Sequence, residues 1–222
     1  MARFRRALAN RREIALLCNL IGYAMSQNPV LLDIPDAIAT ERLILRSPMP
    51  GDGPAMNEAI LDTWDALHPS MPWARERPTV DETEEIARRF RAHFITRTDL
   101  PMFMFLHDRP AVVGSTGLHR MDWSIPRFEI GYWIRRGYEG QGYVSEAVRG
   151  LTRFAFRTLR AQRVEIHCSH RNQRSQRVAE RCGFLLDGRL RNHGREATGE
   201  LRDMLVYSLV PEDPAVQALM AP

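Results

Sequence analysis

The sequence predicts one mixed α/β domain, and two observations support that prediction. Hydrophobic residues make up 44% and charged residues 26% of the 222-residue chain, which suits a globular domain with a sizeable core. Segments with the two-residue period of strands alternate with segments that have the 3.6-residue period of helices. Their order is one strand, two helices, three strands, a helix, a strand, a helix and two strands. This order indicates a sheet flanked by helices.

Seven segments have the apolar alternation and the β-branched or aromatic residues that are typical of strands. The clearest is FEIGYWI, residues 128–134. Asp108, Arg109 and Pro110 form a turn signal that predicts a hairpin between the second and third strands. The predicted strands are residues 41–47, 102–106, 111–119, 128–134, 164–168, 185–190 and 201–209.

Four segments have helical periodicity. Asp52 is a candidate N-cap of the first helix, and Thr79 with Glu82 has the spacing of a capping box before the second. Gly183 stops the fourth. The predicted helices are residues 52–64, 79–94, 144–159 and 172–182.

The ends of the chain fall outside this pattern. We expect an N-terminal extension over residues 1–39, a domain over residues 40–210 and a tail over residues 211–222. Residues 1–27 have the composition of an arginine-rich helix, but their apolar run is too short to span a bilayer. A targeting segment, a loosely attached extension and a true start at Met25 all stay open.

Charge and cysteine content exclude some classes of chemistry. All 31 basic residues are arginine, so no lysine is present for Schiff-base chemistry. The net charge of +4 equals that of residues 1–24, which hold five arginines and one glutamate. The basic pI is therefore weak evidence for nucleic-acid binding. Three cysteines without metal-like spacing suit the cytoplasm and indicate no metal site.

A glycine-punctuated loop precedes the third predicted helix, which is long and amphipathic. Gly137, Gly140 and Gly142 allow tight turns and close approach of a ligand to the backbone. A helix that begins after such a loop offers unpaired N–H groups to a phosphate. The spacing matches neither GxxxxGK[ST] nor GxGxxG, and an ordinary turn before a core helix remains the alternative.

Three motifs, in the same order along the chain, resemble those of the GNAT superfamily of acetyl-CoA-dependent N-acetyltransferases, and within it those of the RimJ/RimL-like branch. The resemblance extends from about Thr40 to Leu209. Glu139 and Val144 depart from the family's usual loop. The motif residues are Glu129, Gly131, Tyr132 and Trp133; Gly140, Gly142 and Tyr143; and Asn172, Ser175, Val178, Glu180, Gly183 and Phe184.

The resemblance implies a GNAT fold, in which a central, mostly antiparallel sheet splays open between its fourth and fifth strands. Here these strands are residues 128–134 and 164–168. Acetyl-CoA is the implied cofactor, and it inserts into the resulting wedge. The implied cofactor-binding residues are Ile134, Gly140, Gln141, Gly142, Tyr143, Val144, Ser145, Asn172 and Ser175.

The resemblance also implies the catalytic residues. Glu129 is the first choice of base, acting directly or through water, and His119 is the second. The alternative for Glu129 is a structural carboxylate paired with an arginine such as Arg127 or Arg135. A backbone N–H within residues 132–134 is expected to stabilise the oxyanion.

Ser175 is the implied proton donor for the leaving thiolate, because the tyrosine that many GNAT enzymes use is replaced by Ala179. The alternative is that Asn172 is a plain helix cap with Ser175 exposed beside it. Trp73 lies in a proline-rich loop and is expected to contact the acceptor, as is His119; the alternative is that Trp73 fills the edge of the core.

We therefore expect an N-acetyltransferase that acts on a primary amine in a ternary complex, most simply the N-terminal amine of a protein or peptide. A polyamine, an aminoglycoside or a peptide antibiotic is the alternative acceptor. The alternative outside the enzymes is a CoA-binding module without catalytic activity. No membrane partner is expected, and a homodimer is the oligomeric state that the family suggests.

Overall fold

A computed structural model describes residues 28–71, 73–196 and 199–221 of the chain. The expectations about residues 1–27, including those for Met25 and Cys18, lie outside these ranges. A 3-10 turn, Pro29–Leu31, precedes the compact unit that begins at Asp33. That unit holds all the strands and α-helices of the described residues.

The described residues form one eight-stranded sheet, in the order β1-β2-β3-β4-β5-β6-β8-β7. Neighbouring strands are antiparallel except β5 and β6, which are parallel. The strands are β1 (Ala37–Ala39), β2 (Leu43–Arg46), β3 (Leu100–Leu106), β4 (Arg109–Asp122), β5 (Arg127–Ile134), β6 (Arg163–Ser169), β7 (Leu185–Arg195) and β8 (Leu201–Leu209).

Five α-helices accompany the sheet within the described ranges, and the predicted mixed α/β class is confirmed. Two elements were not predicted. β1 is three residues long, too short to show a period, and it begins before the expected domain start at residue 40. The helices are α1 (Gly53–Leu67), α2 (Val80–Thr96), α3 (Tyr143–Arg157), α4 (Gln173–Arg181) and α5 (Pro214–Met220).

α5 occupies the region where a tail was expected, so that expectation was wrong. Pro214 stands in the first turn of α5, where a missing N–H costs nothing. Val216 is 3% exposed, and the Arg153 guanidinium of α3 donates a hydrogen bond of 3.1 Å to the Leu219 carbonyl. With only one buried apolar residue, the segment has no helical periodicity from which α5 could have been predicted.

The start of α1 is capped by a different residue from the one predicted. The Asp52 carboxylate makes no capping bond to α1; it pairs with Arg46 at 2.8 Å. Glu84 of α2 instead accepts hydrogen bonds from the N–H groups of Gly51 and Gly53, at 2.9 to 3.0 Å. These bonds hold the pKa of Glu84 below its usual value. The capping box predicted before α2 is confirmed.

The two faces of β5 carry different groups, because successive side chains of a strand point to opposite sides. Trp133 packs into an apolar cluster with residues of α1 and α2, including Ile60 and Ala87. Glu129 and Gly131 share that face. Tyr132 lies on the opposite face, where its hydroxyl reaches α4.

β5 and β6 pair over only three positions, the last of which joins Glu129 to Glu165. Beyond Glu129, residues 130–134 have partners on β4 but none on β6. β6 continues to pair with β8 as far as Ser169. The sheet therefore opens between the two strands that were expected to separate. They are the fifth and sixth strands in chain order, and not the fourth and fifth, because β1 was not predicted.

Phe128 holds the closed end of this gap, and its loss tests how much the closed end contributes to stability. Its side chain is fully buried and meets Trp123 edge-on, with ring centroids 5.1 Å apart. We predict that Phe128→Ala lowers the free energy of unfolding by about 3–5 kcal/mol in urea titrations. Leu185→Ala, at a site that is 58% exposed, should change it by less than about 0.5 kcal/mol. Equal losses in the two variants would contradict this assignment.

Candidate active site

The glycine loop leads into α3 with three left-handed glycines. The φ angles of Gly137, Gly140 and Gly142 are 86°, 73° and 84°, a region that other residues enter only at a cost. The backbone hydrogen bonds of α3 begin with the Glu146 N–H and the Gly142 carbonyl, at 3.0 Å. The amides of residues 143–145 precede that bond and are the groups that a helix N-terminus offers to an anion.

Arg42 of the segment before β2 holds this loop in place. Its guanidinium donates to the Gln141 carbonyl at 3.0 Å, pairs with Glu146 at 2.7 Å and lies 4.5 Å from the Tyr143 ring centroid. Burial alone would raise the pKa of Glu146, but hydrogen bonds from Thr40 and Arg42 outweigh it and lower that pKa. The loop is therefore fixed by an ionised carboxylate on the first turn of α3.

Two predicted loop residues have their side chains engaged elsewhere. The hydroxyl of Ser145 is buried against α4 and accepts a 3.4 Å hydrogen bond from Arg181, so only its backbone amide is left for a cofactor. Glu139 accepts a hydrogen bond from the Gly137 N–H at 3.3 Å and lies 3.7 Å from Arg174. The negative charge of Glu139 is thus partly compensated.

Ser175 and Tyr132 meet on the α4 side of the gap. Their hydroxyl oxygens are 2.6 Å apart in a hydrogen bond. Burial raises the pKa of Tyr132, which keeps the phenol protonated. Asn172 caps α4 by accepting a 3.0 Å hydrogen bond from the Ser175 N–H, so the structural role proposed for Asn172 is present. Ile134, at the end of β5, shares the face of Tyr132.

Glu129 lies on the other face, with its carboxylate mostly buried. One oxygen, Oε1, pairs with Arg120. The other, Oε2, is buried and has no hydrogen-bond partner among the described residues; Nδ1 of His167 is 3.2 Å away but outside hydrogen-bond geometry. The ion pair with an arginine that the alternative expected is therefore present, but its partner is Arg120; Arg127 pairs with Asp122, and Arg135 with Glu58 and Asp62.

A β-bulge brings Arg120 to Glu129. The pairing register of β4 and β5 shifts between His119 and Asp122, and Arg120 has a φ of 47°. A non-glycine residue in this region is strained, and such strain is concentrated at functional sites. The bulge also turns the strand locally and re-aims the side chain.

His167 bridges two carboxylates at the point where the strands part, and the sequence analysis did not single it out. Its Nε2 lies 2.9 Å from Glu165, and its Nδ1 faces Glu129. Burial would raise the pKa of Glu165, but hydrogen bonds from Arg163 and His167 lower it. The signal that could have identified His167 is the presence of ionisable residues at alternate positions of a central strand.

A cavity of about 530 Å³ opens beside Glu129 on the α2 side of the sheet. His119 lines it, with Nδ1 2.9 Å from both carboxylate oxygens of Asp99. Trp73 does not line it: its ring is 51% exposed and 6.5 Å from that of Trp133. The lining residues are His93, Thr98, Asp99, His119, Arg120 and Glu129.

Comparison with known proteins decides the family. The sequence profile of the Acetyltransferase (GNAT) domain matches residues 42–185. The chain belongs to the GNAT acetyltransferase family. It is 31% identical over 175 residues to YdaF of Bacillus subtilis (strain 168), covering 78% of this chain and 93% of YdaF. The name of YdaF assigns it only provisionally to the ribosomal N-acetyltransferases.

Other relatives are more distant or cover less of the chain. The ribosomal-protein-serine acetyltransferase of Escherichia coli (strain K12) is 32% identical over 90 residues, 40% of this chain and 50% of that protein. The microcin C7 immunity acetyltransferase MccE, solved with acetyl-CoA and AMP, superposes with a TM-score of 0.74 at 22% identity. The two structures overlap over 80% of this chain and 97% of MccE. At that identity the similarity shows the GNAT fold alone.

Acetyl-CoA is the acetyl donor of this GNAT N-acetyltransferase, and it supplies a thioester-activated acetyl group. The glycine loop fits such a molecule: a Cβ added at Gly137 or Gly140 would meet nothing within 4 Å. A phosphate can therefore approach the backbone there. None of the described helices combines the length and hydrophobicity that crossing a bilayer requires.

The loop residue Gly142 tests the cofactor site. We predict that Gly142→Asp raises the Kd for acetyl-CoA by about tenfold or more, because the left-handed backbone is strained and a carboxylate faces the phosphates. Calorimetric titration measures the Kd. Gly199→Asp, with a φ of 86° in the β7–β8 loop, is the matched control and should bind acetyl-CoA normally. Unchanged binding by Gly142→Asp would place the cofactor elsewhere.

Proposed function

We propose that this enzyme acetylates the N-terminal amine of a protein or peptide in the cytoplasm. The observation that carries the proposal is the identity of 31% over 93% of YdaF, a protein named for ribosomal N-acetylation. The buried thiols of Cys168 and Cys182 suit a reducing compartment. The candidate acceptor site is the cavity beside Glu129 and His119.

The charges of this cavity favour a single amine over a polycation. Asp99 and Glu129 are its two carboxylates, and each faces a basic group, His119 or Arg120. A polyamine or aminoglycoside needs several uncompensated carboxylates, and this lining does not provide them.

Glu129 acts as the base that accepts a proton from the attacking amine, directly or through water. Its Oε2 is buried and unbonded, and an unsatisfied buried oxygen in a native site calls for such an explanation. Arg120 and His167 hold the carboxylate in position from either side. The base lies on the cavity face of the sheet.

Ser175 supplies a proton on the opposite face, where the thiolate leaves. Its hydroxyl bonds to the buried phenol of Tyr132, which can replace the proton that Ser175 gives up. Backbone N–H groups of residues 132–134 border the gap and stabilise the oxyanion. Loss of one such donor typically lowers the rate about 10²–10³-fold.

We predict that Glu129→Gln lowers kcat by about 10²-fold or more at neutral pH, the usual contribution of a general base. The Kd for acetyl-CoA should be unchanged, because Glu129 lies on the cavity face. Glu139→Gln, at the phosphate loop, is the control and should retain kcat. Full kcat in Glu129→Gln would remove the base assignment.

We predict that Ser175→Ala lowers kcat by about tenfold or more while acetyl-CoA still binds, because the thiolate then leaves without a proton. Rapid-mixing measurements of thiol release separate this step from binding. Ser124→Ala, in the exposed β4–β5 turn, should behave as the wild type. A Ser175→Ala variant with full turnover would show that Ser175 only begins a helix.

The acceptor class is tested by thiol release from acetyl-CoA across a panel of amines. The panel holds peptides that begin with Ser, Ala or Thr, the same peptides with blocked N-termini, polyamines and aminoglycosides. Turnover of free but not of blocked peptides is the expected result. Turnover of polyamines or aminoglycosides alone would overturn the proposal. Light scattering on the same preparation tests for a homodimer.

A further inference from the structure

His119 is oriented by Asp99 in a way that leaves one ring nitrogen free. Nδ1 of His119 is 2.9 Å from both carboxylate oxygens of Asp99. An ionised carboxylate only accepts hydrogen bonds, so Nδ1 carries the hydrogen and Nε2 of the neutral ring has the lone pair. The pair thus presents a proton acceptor at Nε2.

Two glycines make room for this ring on the sheet. A Cβ at Gly131 would lie 2.9 Å from Cδ2 and 3.1 Å from Nε2 of His119, and one at Gly117 would lie 3.0 Å from Cε1. Nε2 therefore lies over Gly131. Gly131 is the first residue on this face of β5 beyond Glu129, where the pairing with β6 stops. The free nitrogen therefore lies near the closed end of the gap, close to Glu129.

An amine that arrives protonated needs two proton acceptors at this place. An acceptor that arrives as an ammonium ion, R–NH3+, loses two protons when it becomes the amide R–NH–CO–CH3. One proton is balanced by protonation of the leaving thiolate, and the other goes to solvent. Glu129 accounts for one of the two acceptors.

We propose that His119, oriented by Asp99, removes the first proton from the acceptor ammonium, and that Glu129 accepts the second as the N–C bond forms. This inference rests on the acetyltransferase function proposed above. The N–H bond breaks, its electron pair stays on nitrogen, and the proton moves to Nε2. The resulting imidazolium is stabilised by Asp99 and returns its proton to solvent through the cavity, where the His119 side chain is 32% exposed.

The charged groups around His119 suit this role. Asp99 precedes β3, Glu129 of β5 is the register partner of His119 on β4, and Arg120 follows His119 on β4. His93 of α2 also lines the cavity. Two carboxylates and one guanidinium therefore surround the imidazolium, and His93 is the other titratable side chain in the lining.

The test is the pH dependence of kcat/KM for His119→Gln and Asp99→Asn, measured with the best amine of the acceptor panel. An α-amine in water has a pKa of about 8, so it arrives neutral at high pH. At pH 7 about one tenth of such an amine is neutral, so we expect His119→Gln to lose about tenfold there and to approach the wild type at about pH 9.5. Asp99→Asn keeps the ring and should show a smaller loss with the same pH dependence. His193→Gln, at an exposed position of β7 outside the cavity, is the matched control and should follow the wild type.

Three outcomes would overturn the inference: a wild-type rate in His119→Gln at pH 7, a loss of equal size at all pH values, or an equal pH-dependent loss in His193→Gln. If His119→Gln does not fold, the presence or absence of a pH-dependent loss in Asp99→Asn tests the inference instead. Glu129→Gln should stay impaired at high pH. A wild-type rate in Glu129→Gln would therefore contradict the base assignment of Glu129 without contradicting the role of His119. Because the assay uses whichever amine reacts, the N-terminal assignment can fail without affecting this test.

Discussion

The early end of the pairing between β5 and β6 is the constraint on which the site depends. The two strands are bonded through Glu129 and Glu165, and residues 130–134 then keep their partners on β4 alone. Backbone groups on the edges of such a gap lack a ladder partner and must bond to something else. An extended ligand can supply those bonds, as it does at other open sheet edges. We therefore propose that the gap defines both where acetyl-CoA lies and where its acetyl group meets the amine.

Strand alternation then separates the residues that we propose for the two proton-transfer steps. Glu129 and His119 lie on the face that is covered by α1 and α2, while Tyr132 and Ser175 meet on the face of α4. In the mechanism proposed above, the amine approaches from one side of the sheet and the thiolate leaves on the other. A proton relay within one pocket is not needed. The buried carboxylates at the closed end of the gap are tolerable because His167 and arginines compensate them.

Much of this arrangement was predictable from the sequence, because the motifs are local. The glycine loop, the capping box and the strand that carries Glu129 depend on residues close in the chain. The pairing of Glu129 with Arg120 was not predictable, since it depends on a bulge and a left-handed residue. The positions of His167 and Asp99 depend on strand register and helix placement, which local propensity does not determine. Capping of α1 by Glu84 has the same tertiary origin.

The most direct test of the central claim is residue-level hydrogen exchange of β5, with and without CoA. If CoA enters the gap, amides within residues 130–134 that face it should exchange about tenfold more slowly when CoA is bound. Amides of Arg127 and Phe128, in the paired part of the strand, should be protected in both states. Unchanged exchange over residues 130–134, in protein that calorimetry shows to be saturated with CoA, would contradict the account.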